Sequence, residues 1–114
     1  MAENAIALVF RVLDPPSEAD EAEFRDFGSK HGLRIYLQPG GLDTIALLYP
    51  DSVTESLCYT LPEFDVRIDF EPVDFVQVNS AINQRMVHFA IEQLAVGPDD
   101  KVLDLFCGIG NFSL

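Results

Sequence analysis

The sequence predicts an α+β chain in two parts: a small hairpin-containing α+β domain over residues 1–72, then the opening helix and first strand of a truncated Rossmann-like domain over residues 73–114. Three observations carry this reading. Val66, Ile68 and Phe70 alternate with Arg67 and Asp69, the period of a strand with one wet face. Ile82, Met86, Val87, Ala90, Ile91 and Leu94 recur at helical spacing and mark the apolar stripe of a helix. Residues 101–114, KVLDLFCGIGNFSL, pass from an apolar run through an acid into a glycine-bracketed loop. That is the pattern of a buried parallel strand and the turn at its carboxyl end.

Each element has a local cause. Ala5 to Leu13 is an apolar strand interrupted by Arg11, and Asp14-Pro15-Pro16 breaks it. Ser17 caps a helix with Asp20 three residues on, an Asp variant of the capping box, and Phe24 and Phe27 are expected to face the core. Gly32 is a left-handed stop. Leu33 to Leu37 then enters the Pro39-Gly40-Gly41 turn as a strand, with a hairpin partner at Thr44 to Tyr49. Ser56 to Thr60 and Asp65 to Glu71 supply two more strands. After Pro72 comes a short extended piece, Asp74 to Asn79, and Asn79 or Ser80 caps the second helix. Gly97-Pro98-Asp99-Asp100 ends that helix, and Val102, Leu103 and Leu105 read as the buried strand.

Charge excludes one class of function for the isolated chain. Seven Lys and Arg stand against nineteen Asp and Glu, a net charge of −12, so the positive surface that phosphate neutralisation requires is missing and no autonomous nucleic-acid binding is expected. The acid concentrates in Asp14 to Asp26, either a solvated helix face or a docking surface for a basic partner. No apolar run reaches membrane-span length, and Met1 to Ala7 lacks the basic region of a signal peptide, so a cytoplasmic protein is expected. Cys58 and Cys107 have no metal or redox spacing; Cys58 reads as a small buried hydrophobe of a strand. His31 reads as a helix-end residue and His88 as a helix-surface residue, and no metal ligand is assigned.

The glycine loop is the candidate site. A dinucleotide fingerprint wants a third glycine three places after Gly110, where this chain has Ser113, so the NAD reading loses ground. Asp104 four residues before Gly108, with Phe106 and Cys107 between, suits a turn cupping the methionine and ribose end of S-adenosylmethionine, which carries no pyrophosphate. An ordinary glycine-rich turn after a core strand is the other reading.

DFVQVN at 74–79, NQRMV at 83–87 and VLDLFCGIGNFSL at 102–114, in this order and spacing, closely resemble the bacterial RNA uracil-C5 methyltransferases that use S-adenosylmethionine. LQPGG at 37–41 and LPEFDVRIDFEPVDF at 61–75 look most like the 23S rRNA branch. The resemblance covers nearly the whole chain, strongly from Leu61 onward and loosely before Leu33. It implies that Gln77, Phe106 and Asn111 contact the cofactor. An amide can pair with the cofactor's methionine carboxylate or amine as donor or acceptor.

The family's chemistry adds a cysteine thiolate to uracil C6, methylates the resulting enolate at C5, and removes the C5 proton with a base before the cysteine leaves. The resemblance places the nucleophile and base downstream of Leu114, and the cysteines of the family's 4Fe-4S cluster upstream of Met1. Cys107 lies inside the cofactor loop and is not appointed as nucleophile, so no catalytic residue is assigned and the isolated chain is expected to be inactive. The alternatives are a tRNA uracil-5 methyltransferase relative and a non-enzymatic acidic α+β protein-interaction module. A strand at 102–106 without sheet neighbours is further expected to pair with a second copy, giving a strand-exchanged homodimer.

Overall fold

The computed structural model describes residues 2–113. Its elements are β1 (Ile6–Arg11), α1 (Glu18–His31), β2 (Leu33–Gln38), β3 (Ala46–Tyr49), β4 (Leu57–Leu61), β5 (Val66–Phe70) and α2 (Ser80–Leu94), with single 3-10 turns at Leu42–Thr44 and Pro62–Phe64. The chain divides into two compact units, Met1–Cys58 with Asp69–Val73 and Tyr59–Ile68 with Asp74–Leu114.

In the first unit β1 pairs in parallel with β2, from Ile6 opposite Leu33 to Arg11 opposite Gln38. Parallel neighbours need a long crossover, and α1 supplies it. β3 returns antiparallel on the other edge of β2, with Tyr36 opposite Leu47, so the order is β1-β2-β3. The core sits on the central strand and β3: Ile35 is fully buried, with Tyr36 beside it and Leu48 of β3 nearly so.

Helix α1 starts and stops on local chemistry. Ser17 and Asp20 form the reciprocal capping box, with the Ser17 N–H 2.9 Å from Asp20 Oδ2 and the Asp20 N–H 3.3 Å from Ser17 Oγ. Gly32 ends the helix in the left-handed conformation at φ 63°. The helix approaches the sheet through Gly28, not through Phe27. A Cβ on Gly28 would lie 2.7 Å from Tyr49 Cδ1 and 2.9 Å from Ile35 Cγ1, so only glycine permits this separation. Phe24 half-buries against Phe10, ring centroids 4.8 Å apart. The expectation that Phe27 faces the core is corrected, since it is exposed and lies against His31 at 4.6 Å. One residue of helix rotation separates the two positions, and close packing at Gly28 decides between them.

β4 and β5 pair with each other in a second sheet. Only residues 62–65 connect them, too few for a parallel crossover, so the pair is an antiparallel ribbon. Along β5, Ile68 and Phe70 are buried while Arg67 and Asp69 are exposed, the alternation expected of its sequence. In the second unit Leu61, Ile68 and Val87 form the core, with Tyr59, Val66, Ile91 and Ile109 against it. Cys58 is buried in β4.

Helix α2 is capped by Asn79, whose Oδ1 accepts from the Ile82 N–H at 3.1 Å. Its buried face matches the expected stripe in part: Val87 is buried and Met86, Ala90 and Ile91 are half-buried, but Ile82 and Leu94 are exposed and Asn83 is buried. Residues 102–106 form no strand, which corrects the expectation of a buried one, and Val102, Leu103 and Leu105 are mostly exposed. An interior parallel strand exists only through neighbours on both edges, and neither sheet extends to this segment.

Two predictions follow from this packing. Replacing Gly28 by Ala gains about 0.5–1 kcal/mol of helix propensity but overpacks a site costing about 1–3 kcal/mol, because fully buried Ile35 cannot retreat. A net loss is expected, read as a lower urea midpoint; an unchanged or raised midpoint contradicts the close approach. The hydrogen bonds from the Ser17 hydroxyl and backbone lower the Asp20 carboxyl below its ordinary 3.8. A carboxylate with a depressed folded value contributes stability that is complete above the unfolded value and disappears as pH falls through the folded one. The melting-temperature difference between wild type and Asp20→Ala should therefore be full above pH 3.8 and shrink below it. A difference that does not vary with pH would rule out the capping role.

Candidate cofactor site

A concavity of about 570 Å³ opens in the second unit, lined by residues 74–77, by Tyr59 and by the 104–112 segment. Its loop wall is built from consecutive tight turns. The Gly110 N–H donates to the Cys107 carbonyl at 3.0 Å, and the Ser113 N–H donates to the Gly110 carbonyl at 3.1 Å. Phe106, Gly108 and Gly110 all take positive φ, at 63°, 58° and 85°. Gly110 is buried and adopts this conformation without strain. Phe106 does so at a cost of about 1–2 kcal/mol, and its ring is fully exposed beside the cavity. Such strain concentrates at ligand-binding turns.

The three residues expected to contact a cofactor come together here. Gln77, Phe106 and Asn111 line the same cavity, although the first is separated from the last by α2. Gln77 and Phe106 are exposed, with their side chains available to a ligand. Asn111 is different. Its Oδ1 accepts from the Tyr59 hydroxyl at 2.7 Å and from Asn83 Nδ2 at 2.9 Å, while its Nδ2 donates to Asn83 Oδ1 at 2.9 Å. Partial burial raises the Tyr59 hydroxyl above its ordinary value, which keeps it protonated as the donor in this contact.

The electrostatics of the lining are one-sided. Asp74 and Asp104 contribute carboxylates, and no Lys, Arg or His lines the cavity among the described residues. Asp104 Oδ2 is buried without a hydrogen-bond partner, and buried acceptors of this kind are rarely left unpaired. Phe75, Phe106 and Phe112 give the cavity its aromatic surface. Cys107 is a free, exposed thiol on the same loop. Elsewhere in this unit His88 Nδ1 lies 2.7 Å from Glu63 Oε1 on the surface. Among the described residues no group of three or more His, Cys, Asp or Glu could hold a metal ion, and no helix is long and apolar enough to cross a membrane.

Two supporting residues, Tyr59 and Asn83, are not among the expected contacts. Asp104 is expected in the turn that cups the ligand, whereas Tyr59 is hidden in a strand. Asn83 had a readable signal: it stands four residues before Val87, on the buried stripe, where a polar residue must have a partner.

The fold and this cavity define a two-unit α+β chain with a turn-built concavity of acidic and aromatic lining. The chain belongs to the tRNA (Uracil-5-)-methyltransferase family, whose model matches residues 3–114. It is 46% identical over 112 residues to the 23S rRNA (uracil(1939)-C(5))-methyltransferase RlmD of Xanthomonas axonopodis pv. citri, covering 98% of this chain and 25% of that relative. The protein of the same name from Burkholderia lata is 55% identical over 108 residues, covering 95% of this chain and 23% of the relative. That of Ralstonia nicotianae is 46% identical over 114 residues, covering all of this chain and 25% of the relative. The chain thus spans about a quarter of the length of the curated relatives it matches.

Proposed function

We propose that this chain is part of an S-adenosylmethionine-dependent methyltransferase acting on C5 of a uridine in 23S rRNA. Residues 1–72 would be its central domain, and residues 73–114 the opening of its Rossmann-like cofactor domain. Gln77, Phe106 and Asn111 hold the cofactor in this reading. The observation that carries it is their convergence on one cavity that bears the carboxylates of Asp74 and Asp104 and, among the described residues, no cationic side chain. S-adenosylmethionine bears a positive sulfonium and an amine and no phosphate, so it suits such a lining, whereas the pyrophosphate of NAD would meet Asp74 and Asp104. The unpartnered Asp104 Oδ2 is an acceptor for an amine, and the exposed Phe106 ring offers a face to the adenine.

RNA is held by other parts of the longer protein, because a chain of net charge −12 does not neutralise phosphates. The nucleophile, the base and any 4Fe-4S cysteines belong there too. The protein works in the cytoplasm, where its substrate class resides. The family's name points to tRNA as a second substrate class, and the relatives' names point to 23S rRNA. Labelled S-adenosylmethionine with undermodified 23S rRNA and tRNA, offered separately to the longer protein, distinguishes them. Transfer to 23S rRNA is expected and transfer to tRNA alone would replace this reading; failure with both would favour a non-enzymatic interaction module. Residues 1–114 by themselves should transfer nothing above a no-protein blank.

Gln77→Ala in the longer protein should weaken S-adenosylmethionine binding by about 1–3 kcal/mol, roughly 5- to 150-fold, the cost of one buried hydrogen bond. Calorimetry measures it, and wild-type affinity in the variant would remove Gln77 from the site. The apolar run at 102–106 is proposed to find a strand partner, and in isolated residues 1–114 that partner is a second copy. Light scattering should report a dimer for 1–114 and a monomer for 1–100. A monomer in both refutes exchange through this run, and a dimer in both locates the contact elsewhere.

A further inference from the structure

We propose that Asn83, from α2, is a positioning residue for the cofactor, acting through Asn111 together with the Tyr59 hydroxyl; this rests on the cofactor reading given above. Asn83 is 2% exposed, and a buried primary amide is tolerated only when its polar atoms are paired. Both of its side-chain polar atoms go to Asn111. Its Nδ2 donates to Asn111 Oδ1 and its Oδ1 accepts from Asn111 Nδ2, each at 2.9 Å. A single hydrogen bond would leave the Asn111 amide free to turn about its last torsion, whereas the reciprocal ring fixes the plane of both amides.

The Tyr59 hydroxyl completes the arrangement by donating to Asn111 Oδ1 at 2.7 Å, so that oxygen already accepts two hydrogen bonds. An amide nitrogen carries two N–H groups, and Asn83 takes one of them. Asn111 therefore faces the cavity as a donor of one N–H, and the ligand atom it meets is an acceptor: a carboxylate, a ribose oxygen or a ring nitrogen. Ile109 fastens the same loop to the Leu61, Ile68 and Val87 core but does nothing to orient an amide two residues away. Orientation is the task left to Asn83.

The test is a double-mutant cycle in the longer protein, with calorimetric Kd for S-adenosylmethionine and a thermal melt of each unliganded variant. Asn83→Ala should weaken binding about 10-fold, and in an Asn111→Ala background the same substitution should add nothing. Tyr59→Phe, which leaves no cavity, should weaken binding about 3-fold and likewise lose its effect once Asn111 is Ala. It decides the matter if Asn83→Ala fails to fold. A lowered melting temperature with unchanged Kd, or effects that persist undiminished in the Asn111→Ala background, would overturn the positioning role. A wild-type protein that binds no S-adenosylmethionine would instead overturn the cofactor reading beneath it.

Discussion

A primary amide removed from water has to be paired, and the pairing of Asn83 with Asn111 is the constraint on which the candidate site depends. One partner sits on a helix with a side-chain cap and its own backbone bonds; the other sits on a loop with turn bonds but no ladder. The pair transfers the order of the helix to the loop. Without it, Ile109 would still hold the loop against the apolar core, since dispersion and burial have no preferred direction. Hydrogen bonds do have one, and a binding site needs it.

The first unit meets an equivalent problem by steric means. There the limiting contact is between α1 and the central strand, and its closeness is set by the missing side chain of Gly28 above fully buried Ile35. Helix, crossover and parallel pairing of β1 with β2 follow as one βαβ unit. Polar specificity organises one unit and shape the other. Both depend on a residue that looks ordinary in its local sequence.

That is also where sequence reading succeeds and fails. The ends of α1 were legible because Ser17, Asp20 and Gly32 act within a turn of where they stand. The alternation of β5 was legible because Arg67 and Asp69 face water whatever packs on the other side. Phe27 was misread because its fate turns on whether Gly28 or its neighbour meets the sheet, and that is settled by Tyr49 and Ile35 rather than by helical period. The run at 102–106 was misread as an already formed strand because apolar composition gives a strand its preference, while neighbours give it its hydrogen bonds. For the site, the resemblance of their motifs marks Gln77, Phe106 and Asn111 as expected contacts, and the three line one cavity. Tyr59 could not be marked, because nothing in SLCYTL points across 52 residues to Asn111.

The acidity of the chain then bears on both sides of the proposed reaction. A cavity lined by Asp74 and Asp104 favours a small cation by the same Coulomb sign that makes a surface of net charge −12 repel a polyanion. These demands cannot be met by one surface. A protein that must bring a cationic methyl donor to an RNA base therefore gains from separating them: acid around the donor's pocket, and base on elements that approach the phosphates. The Asp104 carboxylate illustrates the local advantage. Its unpartnered oxygen is costly in the free chain, and a ligand amine that satisfies it returns that cost as affinity. In the proposed reading, a site prepared in this way discriminates by charge before it discriminates by shape, and the carboxylates that do so are the two that line the cavity, Asp74 and Asp104.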